Sequence, residues 1–274
     1  MIRHAEMGRV PNRKVCLCGV QVDAVGAAEV IAEVRQAVHC HSPFPISVVN
    51  VAKVVHMRHD PVLRRSVQAG KLVLADGVPL VWLSRLRNRR LPERVAGIDL
   101  MYRLLDLANQ EALRVYFLGA EPQVLNRVLH VVRQDYPQLV IAGYHHGYFA
   151  DRQEEDLARD IRHAHPDILL VAISSPKKEL FMQCWGEYIN APVCHGVGGS
   201  FDVMVGLRRR APLWMQRCGL EWLYRLAQEP RRMWKRYLRT NLVFAELAPF
   251  CLFCRREHPD GNHCPWIDQR GGWS

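Results

Sequence analysis

No apolar run in the 274 residues approaches the ~20 residues that a membrane-spanning helix requires. The longest, "LVFAELAPFCLF" at 242–253, is interrupted by Glu246 and Pro249, so it suits lying on a bilayer rather than crossing one. The start, "MIRHAEMGRVPNRKV", carries basic residues with no apolar segment behind them, which argues against a secretory signal. Internal repeats and low-complexity tracts are also lacking. With 49% apolar and 23% charged residues, the composition is that of an ordinary globular protein long enough to bury a sizeable core. Metal-ligand spacings of the H-x-E, E-x-x-H or D-x-D kind are missing around His145 and His146, so no catalytic metal site is expected. The dinucleotide fingerprint is missing too: the glycine loop "HGVGGSFD" at 195–202 has the wrong spacing and falls late in the chain.

The nine cysteines form an odd set, mostly inside apolar runs where a reduced thiol packs as a small hydrophobe. A reducing cytoplasm fits that usage. Cys251, Cys254, His258, His263 and Cys264 crowd the end of the chain in a spacing that matches no standard zinc finger, and a flexible reduced tail competes with a metal site there.

What the chain does have is positive charge, +10 net, which points to an anionic partner. Residues 197–241 concentrate ten basic side chains among Trp214, Trp222 and Trp234. Nucleic acid, a diphosphate and an anionic membrane surface would each suit such a segment. No helix-turn-helix, zinc-finger or RNA-recognition signature supports the first.

Strand and helix patterns alternate from the start. "KVCLCGVQVD" (14–23) reads as a strand pair, and "PISVVNV" (45–51), "KLVLAD" (71–76), "RVYFLGA" (114–120), "LVIAGYHHGYF" (139–149), "DILLVAIS" (167–174) and "APVCHGVGGSFD" (191–202) read as strands with their exits. The stretches between them have helical spacing. This βαβ rhythm predicts an α/β, Rossmann-like, mainly parallel sheet with helices on both faces. After about residue 205 only helical patterns remain. The expected organisation is a disordered start at 1–13, a core at 14–206, a helical C-terminal appendage at 207–250 and a flexible tail at 251–274.

In such sheets ligands sit beyond the carboxyl ends of the strands, so the residues just after each strand are the candidates. Asp76, followed by a glycine, suits general base work on a hydroxyl, or it caps the helix at 78–86. Gly198 and Gly199 let backbone N–H groups approach an anion, with Asp202 placed to accept from a ribose; a plain tight turn is the alternative. "SSPKKE" (174–179) brings Lys178 and Glu179 to a strand exit, or simply starts a helix behind a proline.

Several stretches together resemble one family, the bacterial glycosyltransferase family 26. They are "ADGVPL" (75–80), "LPERVAGIDLM" (91–101), "VYFLGA" (115–120), "HHGYF" (145–149), "SPKKE" (175–179), "GVGGSFDVMVGLRRRAP" (196–212) and "GLEWLYRLAQEPRRMWKRYL" (219–238). The similarity runs from about residue 15 to 245. It implies an inverting, metal-independent and cofactor-free transferase, moving a sugar from a UDP-sugar to a polyprenyl-diphosphate-linked saccharide. Such a protein would be peripheral on the inner face of the cytoplasmic membrane, with a self-associating core. By match, Asp76 resembles the catalytic base, Asn50 lies in the pocket strand motif, and Asp202 with its loop belongs to the nucleotide site. Arg225, Arg232 and Lys235 match appendage cations thought to close over the diphosphate.

The pattern departs from the family at Val48, where a threonine is common, at Lys178, where a glutamine is common, and at Lys235, where an arginine stands. A hexose, or a uronic acid met by Lys178, therefore enters beside an N-acetylhexosamine as the transferred sugar. The remaining cations, Arg208 to Arg210, Arg231, Arg236 and Arg239, are expected against acidic lipid headgroups, with the tryptophans at the interface. The competing readings are a basic nucleic-acid-binding protein and a family member with altered catalysis.

Overall fold

The computed structural model describes residues 14–88 and 90–253. The expected start at 1–13 and the Cys/His tail beyond 253 lie outside the described residues. A hairpin of β1 (Lys14–Leu17) and β2 (Val20–Asp23) opens the fold as a separate antiparallel pair. There follow α1 (Ala27–His39), β3 (Phe44–Val49), α2 (Val51–Met57), α3 (Pro61–Gln68), β4 (Leu72–Ala75), α4 (Val78–Leu86) and α5 (Gly97–Gln110). The alternation continues through β5 (Arg114–Gly119), α6 (Pro122–Asp135), β6 (Val140–His145), α7 (Glu154–His163), β7 (Ile168–Ala172), α8 (Lys177–Ile189) and β8 (Val193–Gly196). From there the chain is helical: α9 (Ser200–Met204), α10 (Leu213–Arg217), α11 (Glu221–Gln228) and α12 (Pro230–Phe253).

The six strands β3 to β8 form one parallel sheet in the order β4-β3-β8-β7-β5-β6. The α/β Rossmann-like fold with C-terminal helices expected from the sequence is the fold observed. Strand side chains alternate between two cores, as the two-residue period requires. Ile46, Leu74, Phe117 and Leu170 face α1, α5 and α6. Val49 and Val73 face the hairpin and α2 to α4, while Leu118 and Val171 face α7 and α8. In β7 all five residues are buried, which suits a central strand covered on both faces.

One segment departs from the periodic reading. The helical stretch from Ala52 to Gly70 is two helices, because Asp60 accepts from the Leu63 N–H at 2.8 Å and Pro61 supplies the first-turn φ of a new helix.

The appendage packs on the core rather than standing away from it. Phe244 and Ala248 of α12 join the cluster formed by the hairpin and α4. Cys251 near the end of α12 pairs with Cys18 of the hairpin, Cα atoms 5.3 Å apart. This pairing corrects the expectation of reduced thiols at these two positions. Residues 233 apart in sequence reveal no partnership by spacing, and only the docked helix brings them together.

Gly119, at the exit of β5, has φ +130°, and a Cβ there would fall 2.4 Å from the Ala172 carbonyl carbon and oxygen. Gly119→Ala is therefore expected to lower unfolding free energy by roughly 2–4 kcal/mol, combining backbone strain with overpacking. Denaturant titration checks this; a loss under about 0.5 kcal/mol would show that the strand exits are less tightly packed than the structure indicates.

Candidate functional site

Because all six strands run in one direction, their exits share one edge of the sheet. Val49 of β3 registers with Ala75 of β4, so the following residues, Asn50 and Asp76, leave side by side. The Asp76 N–H donates to the Val49 carbonyl at 2.8 Å. Asn50 acts locally as a helix cap, its Oδ1 accepting from the Lys53 N–H at 3.0 Å. Asp76 does not cap: the N-cap of α4 is Gly77, with no side-chain cap bond. The helix-cap alternative for this carboxylate thus gives way, and its side chain is left to face the edge.

The partner of Asp76 is Arg94, which lies within the "LPERVAGIDLM" stretch but was not singled out from the sequence. Its loop returns along β4, where the Val95 N–H donates to the Ala75 carbonyl at 3.0 Å. Arg94 Nε donates to the Asp76 carbonyl at 2.7 Å, and a terminal amino group donates to Asp76 Oδ1 at 3.3 Å. The same amino group donates to Glu221 Oε2 of α11 at 2.6 Å. One guanidinium therefore ties the β4 exit to the appendage. Arg225, one turn further along α11, lies 3.8 Å from Glu221 Oε1 and is 59% exposed.

Burial pushes the Asp76 carboxyl above its ordinary range, Arg94 and Arg225 pull it down, and the Glu221 charge pushes it up again. Its side chain keeps 29% exposure, so it remains open to an incoming group. The result is a carboxylate more basic than usual, beside two cations.

A second cluster lies across the exits of β3, β7 and β8. Lys53 donates to the Val48 carbonyl at 2.6 Å and pairs with buried Glu179 at 2.8 Å; Lys178 reaches the same Glu179 oxygen at 3.5 Å. Burial and the nearby Lys53 charge lower the Lys178 ammonium to about 8, against the pull of Glu179 and Asp76. The two lysines hold Glu179 below its ordinary range despite its burial. His195, fully buried on β8, is lowered to about 4 by burial and is neutral at pH 7. Its contact with the Gly97 carbonyl at 3.0 Å requires the proton on Nε2, since a carbonyl only accepts. Sequence reading named Glu179 and Lys178 but missed Lys53 and His195. A lysine three residues after the capping asparagine was the available signal for the first.

The other predicted residues are placed as follows. Gly198, at φ +55°, and Gly199 form the turn after β8, and a Cβ on Gly198 would lie 3.8 Å from Lys178 Nζ. Asp202 pairs with Arg208 at 3.1 Å, and Arg208 also reaches Glu229 at 3.1 Å. Arg210 grips Asp99 through both amino groups. Arg208 and Arg210 are thus each held by a carboxylate while remaining partly exposed. Lys235 is exposed on α12, 5.6 Å over the ring of Trp234. The side chain of Arg232 lies outside the described residues. Arg94→Ala is expected to leave Asp76 and Glu221 without the guanidinium that bridges them, with only the more distant and exposed Arg225 nearby, loosening α11. Its amides should exchange about tenfold faster while strand amides hold; unchanged protection of α11 would show that the bridge does not hold the appendage.

Residues 15–257 match the family described as Glycosyl transferase WecG/TagA/CpsF family. Two curated relatives are N-acetylglucosaminyldiphosphoundecaprenol N-acetyl-beta-D-mannosaminyltransferases. The one from Bacillus subtilis (strain 168) is 41% identical over 172 residues, and the one from Bacillus spizizenii (strain ATCC 23059 / NRRL B-14472 / W23) is 39% identical over 172 residues. Each alignment covers 63% of this chain and 66% of the relative. With nearly the whole described fold inside the matched range, the chain belongs to the WecG/TagA/CpsF glycosyl transferase family.

Proposed function

We propose that the chain is an inverting, metal-independent glycosyltransferase. It would move a hexose or N-acetylhexosamine from a UDP-sugar onto a polyprenyl-diphosphate-linked saccharide in the synthesis of a bacterial cell-surface polysaccharide. The observation that carries this reading is the Asp76 carboxylate, uncommitted to helix capping, raised by burial and flanked by Arg94 and Arg225. The relatives' names specify a lipid-diphosphate-linked sugar as acceptor, which fits a transferase of this kind.

In this reading Asp76 removes the proton from the acceptor hydroxyl, and the oxygen attacks the anomeric carbon on the face opposite UDP. The glycosidic bond forms as the bond to the β-phosphate breaks, and the electron pair leaves with UDP. Negative charge then develops on the diphosphate. Arg225, Arg232 and Lys235 of the appendage supply fixed positive charge for it, and the glycine turn at 198–199 with Asp202 lies at the nucleotide end. Asn50, with Lys178 and Glu179, lines the sugar side.

The core at 14–206 then carries the base and the donor pocket, and the appendage at 207–250 adds the cations for the diphosphate and meets the membrane. Among the described residues no helix is long and apolar enough to cross a bilayer. Trp234, Leu238 and Leu242 are exposed at successive turns of α12, with Arg231, Lys235 and Arg239 exposed beside them. That pattern suits a helix lying in an anionic interface on the cytoplasmic side. It fits a polynucleotide less well, because Arg208 and Arg210 are already ion-paired.

Asp76→Asn tests the reading. Removal of the base should reduce sugar transfer by about 100-fold or more while UDP-sugar binding stays within about twofold of wild type, measured by transfer to a lipid-diphosphate acceptor and by calorimetry. Near-normal turnover in the variant would remove Asp76 from the role. The acid side of the wild-type pH profile should lie above the ordinary carboxylate range, with activity lost as pH falls through it and the base takes up a proton.

A further inference from the structure

Lys178 is built into the site in a manner that helix packing does not require. A Cβ on Gly196 would fall 2.7 Å from Lys178 Cδ and 2.8 Å from Cε, so the lysine stem lies flat across the end of β8 where only glycine leaves room. Its ammonium emerges beside the glycine turn, 3.8 Å from where a Cβ on Gly198 would stand. The Lys178 side chain is 11% exposed and that of Lys53 12%, and both share the single carboxylate of Glu179. Lys53 takes the near position at 2.8 Å and has the Val48 carbonyl as a second acceptor. Lys178 keeps only the 3.5 Å contact as an ion pair among the described residues. An ammonium carries three donors. Holding one largely desolvated on a fixed stem, with a shared and distant counter-charge, is unfavourable unless an anion completes it.

We propose that Lys178 binds an anionic oxygen of the sugar nucleotide. The oxygen belongs either to a carboxylate on the transferred sugar or to the diphosphate. This rests on the reading of the chain as a sugar-nucleotide-dependent transferase and adds to it the charge recognised inside the core, apart from the cations of the appendage. Lys53 and Glu179 act as positioning residues: Glu179 restrains the ammonium of Lys178, and Lys53 keeps Glu179 charged.

The test is calorimetric titration of the full chain with UDP, UDP-glucose and UDP-glucuronate, for wild type, Lys178→Gln and Lys178→Arg. Loss of the ammonium should weaken binding about 10- to 100-fold, and arginine should restore part of it. If the anion is a sugar carboxylate, the loss is confined to UDP-glucuronate; if it is the diphosphate, all three ligands lose alike. Either pattern supports the proposal. Unchanged affinity of Lys178→Gln for all three, with UDP still bound, overturns the role of Lys178 alone. Absence of UDP binding to wild type overturns the transferase reading with it.

Wild type provides a measurement that needs no variant to fold. The ammonium faces Lys53, Glu179, Asp76 and the neutral His195, and it loses its proton as pH rises through about 8. Binding should therefore fall across that range in wild type and hold in Lys178→Arg. A flat profile between pH 7 and about 9 contradicts the proposal.

Discussion

Arg94 is shared by two carboxylates that come from opposite ends of the chain, and the site depends on that sharing. Asp76 stands at the exit of β4, and Glu221 arrives with α11. Without a cation between them, two partly buried acids would raise each other's proton affinity and push the appendage away. With Arg94 in place, docking of α11 also brings Arg225 within electrostatic range of Asp76. The acidity of the core carboxylate and the position of the last helices are therefore one linked property, since whatever moves α11 also changes the charge state of Asp76.

The parallel register makes this arrangement available. Pairing of Val49 with Ala75, and of Val171 with Gly196, brings the exits of four strands to one edge. Polar groups that would be costly in the sheet interior gather there with partners. Glu179 lies between two lysines, neutral His195 donates to a carbonyl beneath them, and glycines at 196 and 198 leave room for a lysine stem and a tight turn. The carboxylates at these exits are each met by a cation: Asp76 by Arg94, Glu179 by Lys53 and Lys178, Asp202 by Arg208.

Much of this was legible in the sequence, for identifiable reasons. The βαβ alternation and the apolar runs of β7 and β8 carry the periodicities that sheets and amphipathic helices require, so the fold followed from the pattern. The edge of strand exits followed from the fold, which is why Asp76, Lys178, Glu179 and the glycine turn were singled out as candidates. Contacts between segments distant in sequence were not legible. Arg94 and Lys53 were not singled out, and Cys251 was grouped with the Cys/His tail rather than with Cys18, because each role arises only when the chain closes on itself. The ion pairs of Arg208 and Arg210 were hidden for the same reason: a run of arginines shows no partners until Asp99, Asp202 and Glu229 fold against it.

The account's central claim is that the appendage, docked on α4 beside Asp76, is part of the working site. In the docked state a Cβ on Gly219, which has φ +69°, would stand 3.2 Å from Val78 Cβ, so a bond there needs a shift of a few tenths of an ångström to reach the roughly 3.5–4.5 Å that a disulfide spans. The most direct measurement is single-turnover sugar transfer by the Val78→Cys, Gly219→Cys double variant, before and after oxidation, with the cross-link verified by peptide mapping. The account predicts that the cross-linked protein still transfers sugar. A locked protein that is inactive and is revived by reduction would contradict it.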